Sequence, residues 1–525
     1  MAAVSGNDGG GRHALRGALV MSVWTLVSRV LGFIRDALML SIFGASAGQG
    51  AFLLAWTVPN LFRKLLGEGA VSAAVQPALM KAEVEEGVAS AKALFASFQG
   101  FLLLLLLLVV GVGEIVIWSW RGQLELGPEH FDLRRTLYFS GFLLPYVIPI
   151  CLCALCTAPQ NLCDRFWRPA LAPVMLNAAW IVGLLVLSNS YDYNRAIING
   201  LCLVILIGGL LQWTLQWTGL YDMGWPVKPH FQLHDQRRNR AIRAFAPALL
   251  GMAALQINVA IDQILVRSLV NETANNYSFY ANRMLHLPLA LVGVAAMTGS
   301  MPLFSKLAAQ GKLQELGRVL TRGCESTLLL ICAAGIGMGV IAHPLLTLMF
   351  QHGEFTADDV NLLTPTLLAY LWVLPFATVG GMLTRAHQSL GSYRLPAIAA
   401  AVSIPVNLGL DVLLLPRLGV PGAGLATTVS MAVQTVILLF SMASVGLSRP
   451  VHLRRLPGVL LPGVVAGVAA WAALELTPTA SPIPGLGVGL AVLAGCFGGA
   501  MATWLARPDD FRDLIHALKS KKSLI

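Results

Sequence analysis

The sequence predicts an all-α polytopic membrane protein of about 14 transmembrane helices, arranged as two six-helix lobes plus two C-terminal helices. Three observations carry that expectation. Of 525 residues, 56% are hydrophobic and only 12% are charged, against about 25% charged in a soluble domain. Apolar runs long enough to cross a bilayer recur along the whole chain. Lysine and arginine concentrate on every second connection between those runs, which is the pattern that membrane topology imposes.

The runs fall at roughly 17–43, 50–79, 92–120, 136–159, 169–189, 196–221, 243–270, 276–304, 319–350, 361–388, 395–415, 421–447, 456–477 and 484–506. The third, with its FLLLLLLLVVGVG core, is the plainest. The first, second and eighth carry charges. Residues 1–16 form a polar, Gly-rich tail with Arg12 and Arg16, and the apolar run behind it lacks a small-x-small cleavage site, so it is taken as an uncleaved first span.

Orientation follows the cations. Arg12 and Arg16 share a side with Lys81 and Lys92, Arg165 and Arg168, the 228–243 cluster, Lys306 to Arg318, Arg385 and Arg394, Arg449 to Arg455, and the tail from Arg507. The connection near 44–50 has no cation, and QHGEFTADDV (351–360) is acidic. Both termini are therefore expected in the cytoplasm, with the chain in the plasma (inner) membrane. The net charge of +10 is spread over these loops rather than gathered on one basic domain, so no nucleic-acid partner is expected.

The longest polar connection, 222–242, divides the chain near its middle, and CDRFWRPALAPVMLN (163–177) resembles GSYRLPAIAAAVSIPVN (391–407). Each has an aromatic residue, Arg, Pro and Ala, then an apolar run ending in Asn. The domains read as a tail (1–16), an N-lobe (17–221), a linker (222–242), a C-lobe (243–447), a last helical pair (448–506) and a basic tail (507–525). Internal duplication is common in transporters, whose binding site then lies near the midplane.

Charges inside the apolar runs are costly, so they point to function. SRVLGFIRD (28–36) carries Arg29, Arg35 and Asp36; VPNLFRKLLGEGA (58–70) carries Arg63, Lys64 and Glu68; YANRMLHLP (280–288) carries Arg283 and His286. Regular helix spacing pairs Arg29 with Asp36 on one face, points Arg35 elsewhere, and pairs Lys64 with Glu68. The cations outnumber the acids, and the arginine fork suits phosphate oxygens, so these residues are assigned to an anionic, phosphate-bearing substrate. In the second half, Asn258 and Asp262, then Asn407 and Asp411, stand at i,i+4, with Thr427 and Thr428 on the next span. These hard oxygen ligands suit a Na⁺ or a proton; the plainer reading is a hydrogen-bonded seam between helices, which accounts for Asn258 and Thr427 but poorly for two acids.

No catalytic constellation stands out, so an enzyme is not expected, and no cofactor is required beyond that coupling ion. Eight cysteines give no disulfide framework; Cys151, Cys153, Cys156 and Cys163 read as small apolar residues of one helix rather than a metal site.

Together, SRVLGFIRD (28–36), FGAS (43–46), VPNLFRKLLGEGAVSAAVQP (58–77), YANRMLHLPLALVGVA (280–295) and FQHGEFTADD (350–359) resemble the MurJ/MviN family, lipid II flippases of the MOP transporter superfamily. The resemblance covers about 15 to 505. It implies fourteen helices, with two six-helix lobes in a V around a central cavity and a last pair forming a lipid-tail groove. It implies that Arg29, Arg35, Arg63 and Arg283 match the family's essential cavity arginines, which would engage the diphosphate of the undecaprenyl-linked disaccharide-pentapeptide, lipid II. Glu68 matches an important acid, and Asp262, Asn407, Asp411 and Thr427 match positions that bind sodium in some members. Membrane lipids and other cell-wall synthesis proteins are the remaining expected partners. Gly50 and Asn282 stand where the family usually has acids. The rival readings are a flippase for another polyprenyl-diphosphate sugar, a MOP-type drug or cation exporter, and a scaffold that binds lipid-linked intermediates without moving them.

Overall fold

A computed structural model describes residues 7–65, 74–124, 131–190, 194–231, 235–447, 450, 456–477 and 485–506. Among them helices dominate and no strand occurs. The chain divides into two compact units, Met1–Ile261 and Asp262–Ile525.

The first unit contains α1 (Asn7–Phe43), α2 (Ala47–Phe62), α3 (Gln76–Glu86), α4 (Val88–Gln123), α5 (Phe131–Leu143), α6 (Val147–Leu162), α7 (Trp167–Ser190) and α8 (Asn194–Asp222). The unit boundary falls inside α9 (Gln236–Leu269). The second unit holds the rest of α9, then α10 (Ala274–Pro288), α11 (Ala295–Ala309), α12 (Leu313–Val340), α13 (Ala342–Phe350), α14 (Ala357–Leu371), α15 (Val373–Ser389), α16 (Arg394–Leu418), α17 (Pro421–Ser441), α18 (Leu456–Leu476) and α19 (Leu486–Ala506).

Helices lie at every span read from the sequence. Ten helical runs among the described residues are long and apolar enough to cross a membrane, and Leu460–Leu476 is a shorter apolar helix. The charged eighth span is one of the ten, as Ala274–Ala309. The chain is an integral membrane protein. Local breaks have local causes. The eighth span passes through a π-helical stretch, Leu289–Val294, just after Pro288, because proline removes a ladder donor and crowds the preceding turn. In the second span α2 gives way to a π-helical turn at Arg63–Leu65, and α3 begins at Gln76 with Pro77 in its first turn. Glu68 lies outside the described residues.

In the first unit, α1 packs on α7, α2 on α5, and α6 and α7 on α8. One core joins Leu79, Leu94, Phe95, Phe98, Leu155 and Leu220 to Trp225. The segment after α8, read as a linker, is part of this packing. Trp225 meets Phe95 edge-on at 5.7 Å, and the His230 N–H donates to the Ala96 carbonyl at 2.9 Å. Gly100 permits that approach, since a Cβ there would collide with the His230 carbonyl. Asp235 then caps α9, accepting from the Arg237 and Arg238 N–H groups at 2.9 and 3.2 Å.

In the second unit, α17 packs on α14, α15 and α16, α12 packs on α15 and α18, and α18 pairs with α19. The α16–α17 corner turns at Gly419, whose φ of 66° is a conformation open to glycine at little cost, and Pro421 then starts α17.

Candidate functional site

In the first unit the charged motif of α1 is resolved into two separate situations. Arg35 and Asp36 are buried, at 8% and 3% exposure, while Arg29 is exposed. Asp36 is paired with its neighbour Arg35 rather than with Arg29 as the helix spacing suggested. Arg35 Nε and Nη2 both donate to Asp36 Oδ1, at 3.0 and 2.6 Å. Its Nη1 donates to Asn177 Oδ1 on α7 at 3.0 Å, and its guanidinium lies over the Trp180 ring, 4.5 Å from the centroid. Asn177 Nδ2 returns to α1, donating to the Ser28 carbonyl at 2.9 Å and the Ser28 hydroxyl at 3.2 Å. A buried ion pair is held here by hydrogen bonds and by a cation–π contact, the arrangement that makes burial tolerable.

Trp180 belongs to an aromatic cluster built from α2, α5, α7 and the 3-10 turn Leu144–Tyr146 that joins α5 to α6. Trp56 meets Trp180 edge-on at 5.1 Å and Tyr146 at 5.3 Å, and Phe52 meets Trp180 at 5.8 Å. Arg63 is half-buried in the π-helical turn and donates through Nε and Nη2 to Asn60 Oδ1, at 3.2 and 3.1 Å. Lys64 beside it is half-buried. The Lys64–Glu68 pairing falls outside the described residues. Among those residues Arg29 makes no hydrogen bond or ion pair.

The second unit brings Asp262, Asn407 and Asp411 together. Asn407 Nδ2 donates to Asp262 Oδ1 at 2.8 Å and to Asp411 Oδ2 at 2.9 Å, and Asn407 Oδ1 accepts from the Ser430 hydroxyl at 3.2 Å. The carboxyl groups of Asp262 and Asp411 lie within hydrogen-bonding reach of each other. Thr427 stands one step out. Its hydroxyl donates to the Ala423 carbonyl at 2.9 Å, the usual resort of a threonine inside a helix. Tyr370 shares a hydrogen bond with Ser278 at 2.9 Å, and Gln263 donates to Ser278 at 3.3 Å. Arg283, on α10, is half-buried.

The acid pair passes a chemical test for a hard cation or a proton. Two carboxylates, an amide and a hydroxyl are all oxygen-bearing groups. Asp411 Oδ1 is buried with no hydrogen-bond donor among the described residues, an orphaned acceptor of the kind that a cation or a shared proton satisfies. No group of three or more His, Cys, Asp or Glu that could hold a metal occurs among the described residues, so softer metals have no such set.

Sequence reasoning passed over Asn177, Trp180, Gln263, Ser278, Tyr370 and Ser430. For Asn177 a signal existed: it ends the first of the two repeated phrases, as Asn407 ends the second. Asn177 follows Arg168 by nine residues and Asn407 follows Arg394 by thirteen, a difference of about one helical turn that preserves the helix face.

The family model described as lipid II flippase MurJ matches residues 39–480. The lipid II flippase MurJ of Burkholderia cenocepacia is 28% identical over 477 residues, covering 88% of this chain and 91% of that protein. The probable lipid II flippase MurJ of Buchnera aphidicola subsp. Acyrthosiphon pisum is 29% identical over 400 residues, 75% of this chain and 77% of that protein. A solved lipid II flippase MurJ in an inward closed conformation shares the fold with a TM-score of 0.76 at 22% identity, over 95% of this chain and 100% of that one. An inward-facing multidrug resistance MATE transporter of the MOP superfamily does so with a TM-score of 0.64 at 14% identity, over 81% and 94%. The chain therefore belongs to the lipid II flippase MurJ family, and is a transporter rather than an enzyme.

Proposed function

We propose that this protein moves lipid II from the cytoplasmic to the periplasmic leaflet of the inner membrane by alternating access, with its cavity arginines binding the diphosphate. The observation that carries the reading is the cationic character of the first two spans. Arg29, Arg35, Arg63 and Lys64 stand there with Asp36 as the described carboxylate, and that carboxylate is occupied by Arg35. An apolar span that keeps an exposed Arg29 calls for an anion, and a diphosphate offers several oxygens to guanidinium forks. Arg63 and Arg283 supply further cationic donors to the same group. Lys64 and Glu68 are assigned to the substrate site with them.

The lipid tail takes an apolar berth along the last two helices. Val464, Val468 and Trp471 on α18, and Leu493, Phe497 and Met501 on α19, are exposed, so these helices offer an apolar surface to a polyprenyl chain. Asp262, Asn407, Asp411 and Thr427 hold the coupling ion, a Na⁺ or a proton, which when bound balances the two carboxylates. Asn407 joins α9 to α16 through both acids, so a change at either carboxylate reaches two helices. A ligand shifts such an equilibrium only by binding one state more tightly than the other. Positive-inside bias places both termini in the cytoplasm.

The test is lipid II translocation in cells depleted of their own flippase and supplied with this protein. Wild type should expose lipid II at the periplasmic face, and Arg29→Ala and Arg283→Ala, expressed at the same level, should not. Absence of exposure by a wild type that reaches the membrane would overturn the substrate assignment. Mutants that translocate as well as wild type would overturn the arginine roles.

A further inference from the structure

We propose that Asn177 is the positioning residue for Arg35: with Asp36 it fixes the guanidinium so that two N–H donors remain directed at an anionic ligand. This rests on the diphosphate reading above. A guanidinium carries five N–H donors in a rigid plane. Arg35 uses three of them, two on Asp36 Oδ1 and one on Asn177 Oδ1. Two remain, the number that one bidentate contact with a phosphate consumes.

Asp36 alone cannot fix that plane. Both of its bonds run to one oxygen, Oδ1, and the guanidinium could swing about that single point. Asn177 closes the rotation from a different helix, and Trp180, one turn further along α7, covers a face of the plane at 4.5 Å. Asn177 is itself fixed, because its Nδ2 is spent on the carbonyl and hydroxyl of Ser28. The amide therefore has one orientation in which every polar atom is satisfied, with Oδ1 toward the cation.

An amide is also the right charge. A carboxylate at 177 would accept the same hydrogen bond, but it would place a second anion on Arg35 and cancel its pull on phosphate. It would also lose the bond to the Ser28 carbonyl, which needs an N–H donor. The neutral side chain positions the cation without neutralising it further.

The experiment uses purified full-length protein in detergent and two probes, inorganic pyrophosphate and lipid II, with affinity and unliganded melting temperature measured for each variant. Asn177→Asp should weaken binding of both probes by roughly tenfold, the scale of one charge-assisted hydrogen bond, while the unliganded protein stays folded. The swap Asp36→Asn with Asn177→Asp returns one carboxylate to Arg35 and should recover most of that loss. A residue needed only for packing gives no such recovery, so additive defects in the swap would overturn the proposal. So would Asn177→Asp or Asn177→Leu binding both probes like wild type. If wild type binds pyrophosphate in an Arg35- and Asn177-dependent way but does not bind lipid II, the positioning role stands and the lipid II assignment fails.

Discussion

Two asparagines, each at the end of a repeated phrase, solve opposite electrostatic problems. Asn177 reaches from α7 to α1 and meets a guanidinium, so it presents Oδ1 and spends Nδ2 on Ser28. Asn407 reaches from α16 to α9 and meets two carboxyl groups, so it presents Nδ2 to both and spends Oδ1 on Ser430. The amide is the one neutral side chain that can do either by turning over. Each phrase thus ends in an asparagine, whose partners are a cation–anion pair in one case and a pair of acids in the other. The first unit's cluster pairs one cation with one acid and, on the proposed reading, keeps guanidinium donors for an anion. The second unit's cluster carries excess acid and is the part of the molecule suited to a cation.

That contrast predicts opposite signs. The largest effect belongs to Arg35→Ala, which strands a buried Asp36 and should cost about 3–5 kcal/mol, the penalty for removing one partner of a buried pair. It should appear as a large fall in melting temperature in detergent. Replacing both Arg35 and Asp36 by Leu should restore most of the stability and none of the translocation. A double variant as unstable as Arg35→Ala would mean that the pair holds the fold through more than its charges.

In the second unit the corresponding change runs the other way. Asp411→Asn removes one of two adjacent acids and keeps a side chain that can hydrogen-bond. It should raise the melting temperature, by about 1 kcal/mol of stability on the scale of a net hydrogen bond, while abolishing any dependence of transport on the coupling ion. A fall in stability as steep as that of Arg35→Ala would erase the distinction between the clusters.

Much of this was legible in the sequence because charge inside an apolar run has few uses. Arg29, Arg35, Asp36, Asp262 and Asp411 announce themselves for that reason. Pairings were harder. Seven residues of helix rise about 10 Å, so Arg29 and Asp36 share a face without touching, whereas the adjacent Arg35 has a side chain long enough to curl onto Asp36. Asn177 and Trp180 were silent because their partner lies 142 residues from Asn177 in the chain, and one polar residue in an apolar run reads equally well as a seam. Thr427 was singled out as a ligand; its hydroxyl proton goes to the Ala423 carbonyl of its own helix, which leaves the oxygen lone pairs for a cation. The 222–242 segment reads as a linker by polarity, and its packing on α4 depends on a glycine, Gly100, far from it in sequence.

The smallest expected effect lies on that same segment and provides the exposed counterpart of the buried Arg35–Asp36 pair. Arg237 Nη1 meets Glu86 Oε2 at 2.6 Å, and the Ser90 hydroxyl donates to the same carboxylate at 2.5 Å. The Ser90 hydrogen bond first, and the Arg237 charge after it, lower the Glu86 pKa below its ordinary value of 4.5. A lowered folded-state pKa means that the ionised carboxylate contributes stability above the unfolded-state pKa. That contribution is lost as pH falls through the folded-state value. Glu86 is solvent-exposed, so water and salt screen most of the interaction. Glu86→Gln should therefore melt slightly below wild type at pH 7, with the gap narrowing in high salt and closing at acid pH, as the wild-type carboxylate is protonated. A gap that persists unchanged at acid pH would show that the side chain acts by its shape. A gap as large as that of Arg35→Ala would show that this pair carries far more than an exposed one should.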